Sequence, residues 1–138
     1  MDRKEFLSML GISAAALTIG SCMNGCSTGG TTPAAPPTVN FNLDLTQSAN
    51  VNLTTLGGYI YSNGLVVAKT NMGTFIAVSQ VCTHQGSTIL YQSSINDFFC
   101  PSHGSTFAPN GKVTQGPAVT NLKTYNTQLN GNILHVWG

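Results

Sequence analysis

The sequence is poor in charge. Nine of its 138 residues are Asp, Glu, Lys or Arg, and four of those fall in the first five positions. Past residue 21, Lys69, Lys112 and Lys123 stand against Asp44 and Asp97. There is no basic stripe, which argues against nucleic acid as a partner. Long apolar runs are also lacking. Phe6 to Ile19 is interrupted by Ser8, Gly11, Ser13 and Thr18, and it falls short of the roughly 20 apolar residues a membrane span needs. No long helical pattern follows residue 20. Cysteine is scarce: Cys22 and Cys26 lie near the start, leaving Cys82 and Cys100 for the body. The length allows one domain.

A charged start and a short apolar run read as a signal peptide over residues 1–21. Ile19-Gly20-Ser21-Cys22 resembles a bacterial lipobox, so Cys22 is the expected lipid anchor. Arg3-Lys4-Glu5-Phe6-Leu7 looks like a twin-arginine export motif with lysine in the second arginine's place, and the general secretion route stays open. The expected location is the periplasmic side of a bacterial membrane, with the chain anchored through lipid. Residues 22–38 are rich in Gly, Ser, Thr, Pro and Ala and read as a flexible linker. Fully extended, such a linker reaches on the order of 50 Å.

From residue 39 to the end the pattern is that of short antiparallel strands, and the expected fold class is all-β. Val39, Phe41, Leu43 and Leu45 alternate with polar residues, and Val51 and Leu53 continue that alternation. Tyr59-Ile60-Tyr61 and Leu65-Val66-Val67-Ala68 flank Asn63-Gly64, a type I′ hairpin signal. Asn71-Met72-Gly73, Asn110-Gly111 and Asn130-Gly131 mark further turns. Ile133 to Trp137 closes the chain as a strand, with His135 a strand residue rather than a ligand.

The chemistry concentrates between Val81 and Pro117. Cys82-Thr83-His84 is followed by Cys100-Pro101-Ser102-His103. Two thiolates and two imidazoles supplied by two loops make a metal site. A zinc finger usually takes its cysteines from one loop and its histidines from another. Here each loop supplies one of each, which suits two irons bridged by sulfide. One iron then takes both cysteines and the other both histidines. A structural Cys2His2 zinc site remains the alternative.

These motifs resemble those of the Rieske [2Fe-2S] family. Cys82, His84 and Gly86 fit its first loop, and Cys100, Pro101, His103, Gly104 and Ser105 fit its second. Gly116-Pro117 stands where the family has a Gly-Pro loop. The resemblance implies a cluster-binding subdomain over about residues 81–119. It also implies one [2Fe-2S] cluster held by Cys82, His84, Cys100 and His103. Gly86, Gly104, Ser105, Phe107 and Pro117 would surround it, with the glycines letting backbone N–H groups approach the sulfides. Two departures stand out. Ser87 and Ser102 occupy positions that form a disulfide in quinol-oxidising members, and Phe107 occupies one that is often tyrosine there.

With two thiolate and two neutral imidazole ligands the oxidised centre is formally neutral. Burial penalises charge, so a neutral centre accepts an electron more readily than a four-thiolate one. The expected function is one-electron transfer, as a membrane-tethered periplasmic carrier or a subunit of a quinol-oxidising complex. The expected partners are redox proteins: that complex, a cytochrome or a dehydrogenase. The alternative is the small electron-transfer subunit of an exported oxidoreductase. The chain is too short to hold an oxygenase catalytic domain, so it is not expected to be a complete enzyme alone.

Overall fold

The structure is a computed structural model that describes residues 34–138. The signal peptide, Cys22, Cys26 and most of the linker lie outside the described residues. Among the described residues no helix is long and apolar enough to cross a membrane.

Among the described residues ten strands form two antiparallel sheets. The larger contains β1 (Asn40–Asp44), β2 (Tyr59–Ser62), β3 (Leu65–Lys69), β4 (Phe75–Ser79), β9 (Thr124–Asn130) and β10 (Ile133–Trp137). Their spatial order is β1-β10-β9-β4-β3-β2. The smaller contains β5 (Leu90–Gln92), β6 (Asp97–Phe99), β7 (Thr106–Phe107) and β8 (Val113–Gln115), in sequence order. The smaller sheet is thus an insertion between β4 and β9, two strands that pair directly with each other.

Side-chain alternation explains how the two layers share β3. Val66 and Ala68 face the inserted sheet and pack with Phe98, Phe107 and Leu122. Leu65 and Val67 point the other way and pack with Leu43, Leu134 and Val136. A strand buried on both faces reads as a continuous apolar run rather than an alternating one, and Leu65-Val66-Val67-Ala68 is such a run.

The turns follow their chemistry. Asn63 and Gly64 both take positive φ, 51° and 81°, as a type I′ turn requires. At the last hairpin Asn130 still pairs with Ile133. The turn residues there are therefore Gly131 and Asn132, one position later than the Asn-Gly signal placed them. Val51 and Leu53 do not continue the β1 alternation. They lie in a 3₁₀ helix, Ser48–Thr54, where Leu53 is buried and Val51 is exposed. Two residues apart on a three-residue turn point in different directions, and period-two spacing over so short a run cannot reveal that.

Candidate metal centre

Two loops lead from the larger sheet into the smaller and through it. The first runs from Cys82 to Ser87 and the second from Cys100 to Ser105. Each closes in the same way. Gly86 N–H donates to the Cys82 carbonyl and Gly104 N–H to the Cys100 carbonyl, both at 2.9 Å. Cys82 N–H donates to the Ser87 carbonyl at 2.7 Å and Cys100 N–H to the Ser105 carbonyl at 2.8 Å. Gly86 and Gly104 take φ of 80° and 82°, the left-handed region that costs a side-chain-bearing residue energy. Their N–H groups close the loops.

The donors come together in like pairs. Cys82 and Cys100 are 0% and 1% exposed, and neither is in a disulfide. The Cys82 thiol lies within hydrogen-bonding reach of Cys100. The rings of His84 and His103 meet edge to face, with centroids 4.8 Å apart. His84 is half-buried and His103 is exposed. Among the described residues no three His, Cys, Asp or Glu side chains converge as a single metal ion would need. One pair of thiols and a separate pair of imidazoles, each made across the two loops, is the pairing that two metal atoms use.

Two further observations test the fit. His84 Nδ1 is buried with no hydrogen-bond partner. Buried ring nitrogens are ordinarily paired, so this one is free for a metal. Burial pushes the Cys82 thiol up from its ordinary value, and the neighbouring Cys100 adds to that. The backbone N–H groups of His84 and Gln85, which reach toward its sulfur, pull the other way. A metal ligand must be a thiolate, so loading the site releases these protons. The residues therefore fit a [2Fe-2S] cluster. The N–H groups of His84 and Gln85 are thus donors beside the Cys82 sulfur. They follow from the turn's geometry and leave no mark in composition.

A third segment spans both loops. Ala118 N–H donates to Ser105 Oγ at 3.0 Å, within the core. The Thr83 hydroxyl donates to the Thr120 carbonyl. Ser105 is fully buried, and with its oxygen accepting from Ala118 its own proton remains to be given elsewhere. Phe107 is also fully buried, in the same apolar cluster as Cys82 and Cys100. Gly116-Pro117 is a cis peptide bond that leads into this segment. Its tip residue Val119 is 93% exposed. Thr83, Thr120 and Ala118 were not singled out from sequence, because no local pattern announces a bond across 37 residues. His135 lies away from the loops, stacked on Trp137 and bonded to Asn40.

Comparison with known proteins agrees with this geometry. The Rieske [2Fe-2S] domain family matches residues 42–126. The cytochrome b6-f complex iron-sulfur subunit of Chlorobaculum thiosulfatiphilum is 32% identical over 72 residues, covering 52% of this chain and 40% of that one. The corresponding subunit of Prochlorococcus marinus is 40% identical over 58 residues, 42% of this chain and 32% of that one. The chain thus spans two fifths or less of the length of these relatives. Among solved structures, the plasma membrane Rieske protein of the cyanobacterium Synechocystis superposes with a TM-score of 0.51 at 36% identity, over 59% of this chain and 85% of that one. The ferredoxin of carbazole 1,9a-dioxygenase from Nocardioides aromaticivorans shares the fold, with a TM-score of 0.52 at 20% identity, over 60% of this chain and 86% of that one. With the family matching more than half of the chain, the zinc alternative is set aside: this protein belongs to the Rieske [2Fe-2S] domain family, and its cofactor is a [2Fe-2S] cluster.

Proposed function

We propose that the protein is a one-electron carrier tethered to the periplasmic side of a bacterial membrane, where it serves a quinol-oxidising complex. The observation that carries this reading is the sorting of donors by depth. Both thiols lie in the core, and the imidazole pair reaches the surface at His103. Cys82 and Cys100 would hold one iron and His84 and His103 the other. His84 would bind through Nδ1 and keep its proton on Nε2. The bound cluster supplies uptake and release of one electron at a time.

The chain's own residues do the rest. The loops pack into the apolar cluster around Phe98 and Phe107, which excludes water from the sulfur side. With its oxygen taken by Ala118, the Ser105 hydroxyl would donate toward the bound cluster, and with the N–H groups of His84 and Gln85 it would stabilise added negative charge. Exposed His103 and Val119 present a contact surface at which a redox partner can approach. Similarity to b6-f subunits supports a partner of the quinol-oxidising kind.

Tethering rests on the lipobox-like Cys22. Mass spectrometry of the membrane fraction should find a diacylglyceryl group on Cys22, and mature protein with an intact Met1 would contradict cleavage. For the partner, affinity capture of the membrane-extracted protein should bring down a cytochrome b-type assembly. Capture of a large exported oxidoreductase subunit in its place would favour the small-subunit reading.

A further inference from the structure

Residues 34–37 have the composition of a free linker, yet the chain does not leave the body there. The Pro37 carbonyl accepts two hydrogen bonds, from Tyr125 Oη at 2.6 Å and from Lys123 Nζ at 3.2 Å. Both donors lie at the start of β9 or just before it. The Lys123 ammonium also sits 4.7 Å from the centroid of the Tyr125 ring, so ring and cation hold each other in place. On its other side Pro37 packs at the β2–β3 turn. A Cβ built on Gly64 would come within 3.2 Å of Pro37 Cγ. The next residues are fixed as well, since Val39 and Gly138 exchange both backbone hydrogen bonds.

The anchored carbonyl sits close to the metal loops. The Gly64 carbonyl accepts from Gln80 N–H, two residues before Cys82, and the Lys123 carbonyl accepts from Ser79 N–H. Ala34, Ala35 and Pro36 then wall one side of a cavity of about 370 Å³, whose other side includes Val81, Thr83 and Thr120. Thr83 and Thr120 are the pair that joins the first loop to the segment spanning both. The residue before a proline is biased to extended conformations, so Pro36-Pro37 resists folding back on itself.

We propose that residues 34–37 are a strap that docks on Lys123, Tyr125 and the β2–β3 turn, and so fixes the chain's N-terminal continuation beside the loops carrying Cys82 and Cys100. The chain then leaves the domain from a fixed point beside the loops that carry His84 and His103. Releasing the strap frees four residues, roughly 13 Å of extended chain, and lets that exit point move. The inference uses the cluster only as a spin label and does not depend on lipidation of Cys22.

The test uses the cluster-loaded full chain with Cys22→Ser, Cys26→Ser and Ala35→Cys, a nitroxide being placed on residue 35. Relaxation of the nitroxide by the reduced cluster reports their separation. The docked strap gives strong enhancement from one population. Lys123→Met with Tyr125→Phe keeps the lysine stem and the aromatic ring but removes both donors. In that variant the enhancement should fall several-fold and become heterogeneous, while the cluster's own resonance is unchanged. Lys123→Met alone should show a smaller loss, and it keeps the test open if the double variant folds poorly. Heterogeneous enhancement in the parent chain, or equal enhancement with and without the two donors, would overturn the proposal.

Discussion

The six residues from Cys82 to Ser87 and the six from Cys100 to Ser105 close by matching pairs of backbone hydrogen bonds and turn at matching glycines. Their histidines differ in position, third in the first loop and fourth in the second. One ring is half-buried with an orphaned Nδ1, and the other is exposed. Their fastenings differ too. The second loop is tied by a buried bond to Ser105, and the first by an exposed bond from Thr83. The loop backbone is therefore a reusable frame. What each loop does depends on which position carries the imidazole and on how deeply the loop is pinned.

The hardest way to break the comparison is to make the first loop imitate the second. His84→Gln with Gln85→His moves the imidazole to the fourth position on an unchanged backbone frame. The purified double variant should contain no labile sulfide and show no Rieske resonance, while the six-stranded sheet still folds. Retention of a normal cluster would show that ring position is not what selects the ligand.

Removing the cluster should come next in size. Ser87 and Ser102 cannot cross-link the loops, and a disulfide would contribute about 2–4 kcal/mol. In the apo protein the amides of Cys82, Gly86, Cys100 and Gly104 should exchange faster than in the holo protein. Equal protection in the two forms would mean that the frame stands without metal.

The two fastenings should then separate. Ser105→Ala leaves the buried Ala118 N–H unsatisfied, at about 1–3 kcal/mol. Thr83→Val breaks an exposed bond and should cost about 0.5–1.5 kcal/mol, read by denaturant unfolding. Ser105→Ala should also lower the reduction potential by at least several tens of millivolts, since about 60 mV corresponds to 1.4 kcal/mol for one electron. Phe107→Tyr should raise it by a similar amount by offering a cysteine sulfur a hydroxyl. Protein-film voltammetry at fixed pH decides both, and an unchanged potential in Ser105→Ala would reduce the serine to a turn residue.

The smallest expected effect lies outside the loops. Asp97 Oδ1 is buried without a partner, and burial raises the carboxyl's pKa above 3.8. The folded state therefore holds the Asp97 proton more tightly than the unfolded one. Stability from this group is present below the unfolded pKa and is lost as pH rises through the raised value. Asp97→Asn should gain on the order of 1 kcal/mol at neutral pH and flatten that part of the profile. A variant less stable than the parent at pH 7 would show that the carboxylate has a partner.

Much of this was legible in the sequence because it is written locally. The donor residues sit within a few positions of one another, and Asn63-Gly64 needs only its own φ angles to form a hairpin. Leu65 to Ala68 announced burial by being apolar throughout, although not which residue faces which layer. The 3₁₀ helix at Val51 and Leu53 was misread because two apolar residues two apart fit either geometry. The Ser105–Ala118 and Thr83–Thr120 bonds and the docking of Pro37 on Tyr125 join separate parts of the chain, and the orphaned Asp97 oxygen is buried by other segments. They depend on tertiary packing, which a sequence pattern does not encode at those positions.

The central claim is that like donors pair across the two loops to hold two irons. Its most direct test is metal and labile-sulfide analysis of the purified protein, combined with electron resonance of the reduced form, on the parent and on Cys82→Ser, His84→Ala, Cys100→Ser and His103→Ala. The account predicts two irons, two labile sulfides and a Rieske resonance in the parent, with the resonance lost in every variant. One zinc with no sulfide, or an intact Rieske resonance after any of the four replacements, would contradict it.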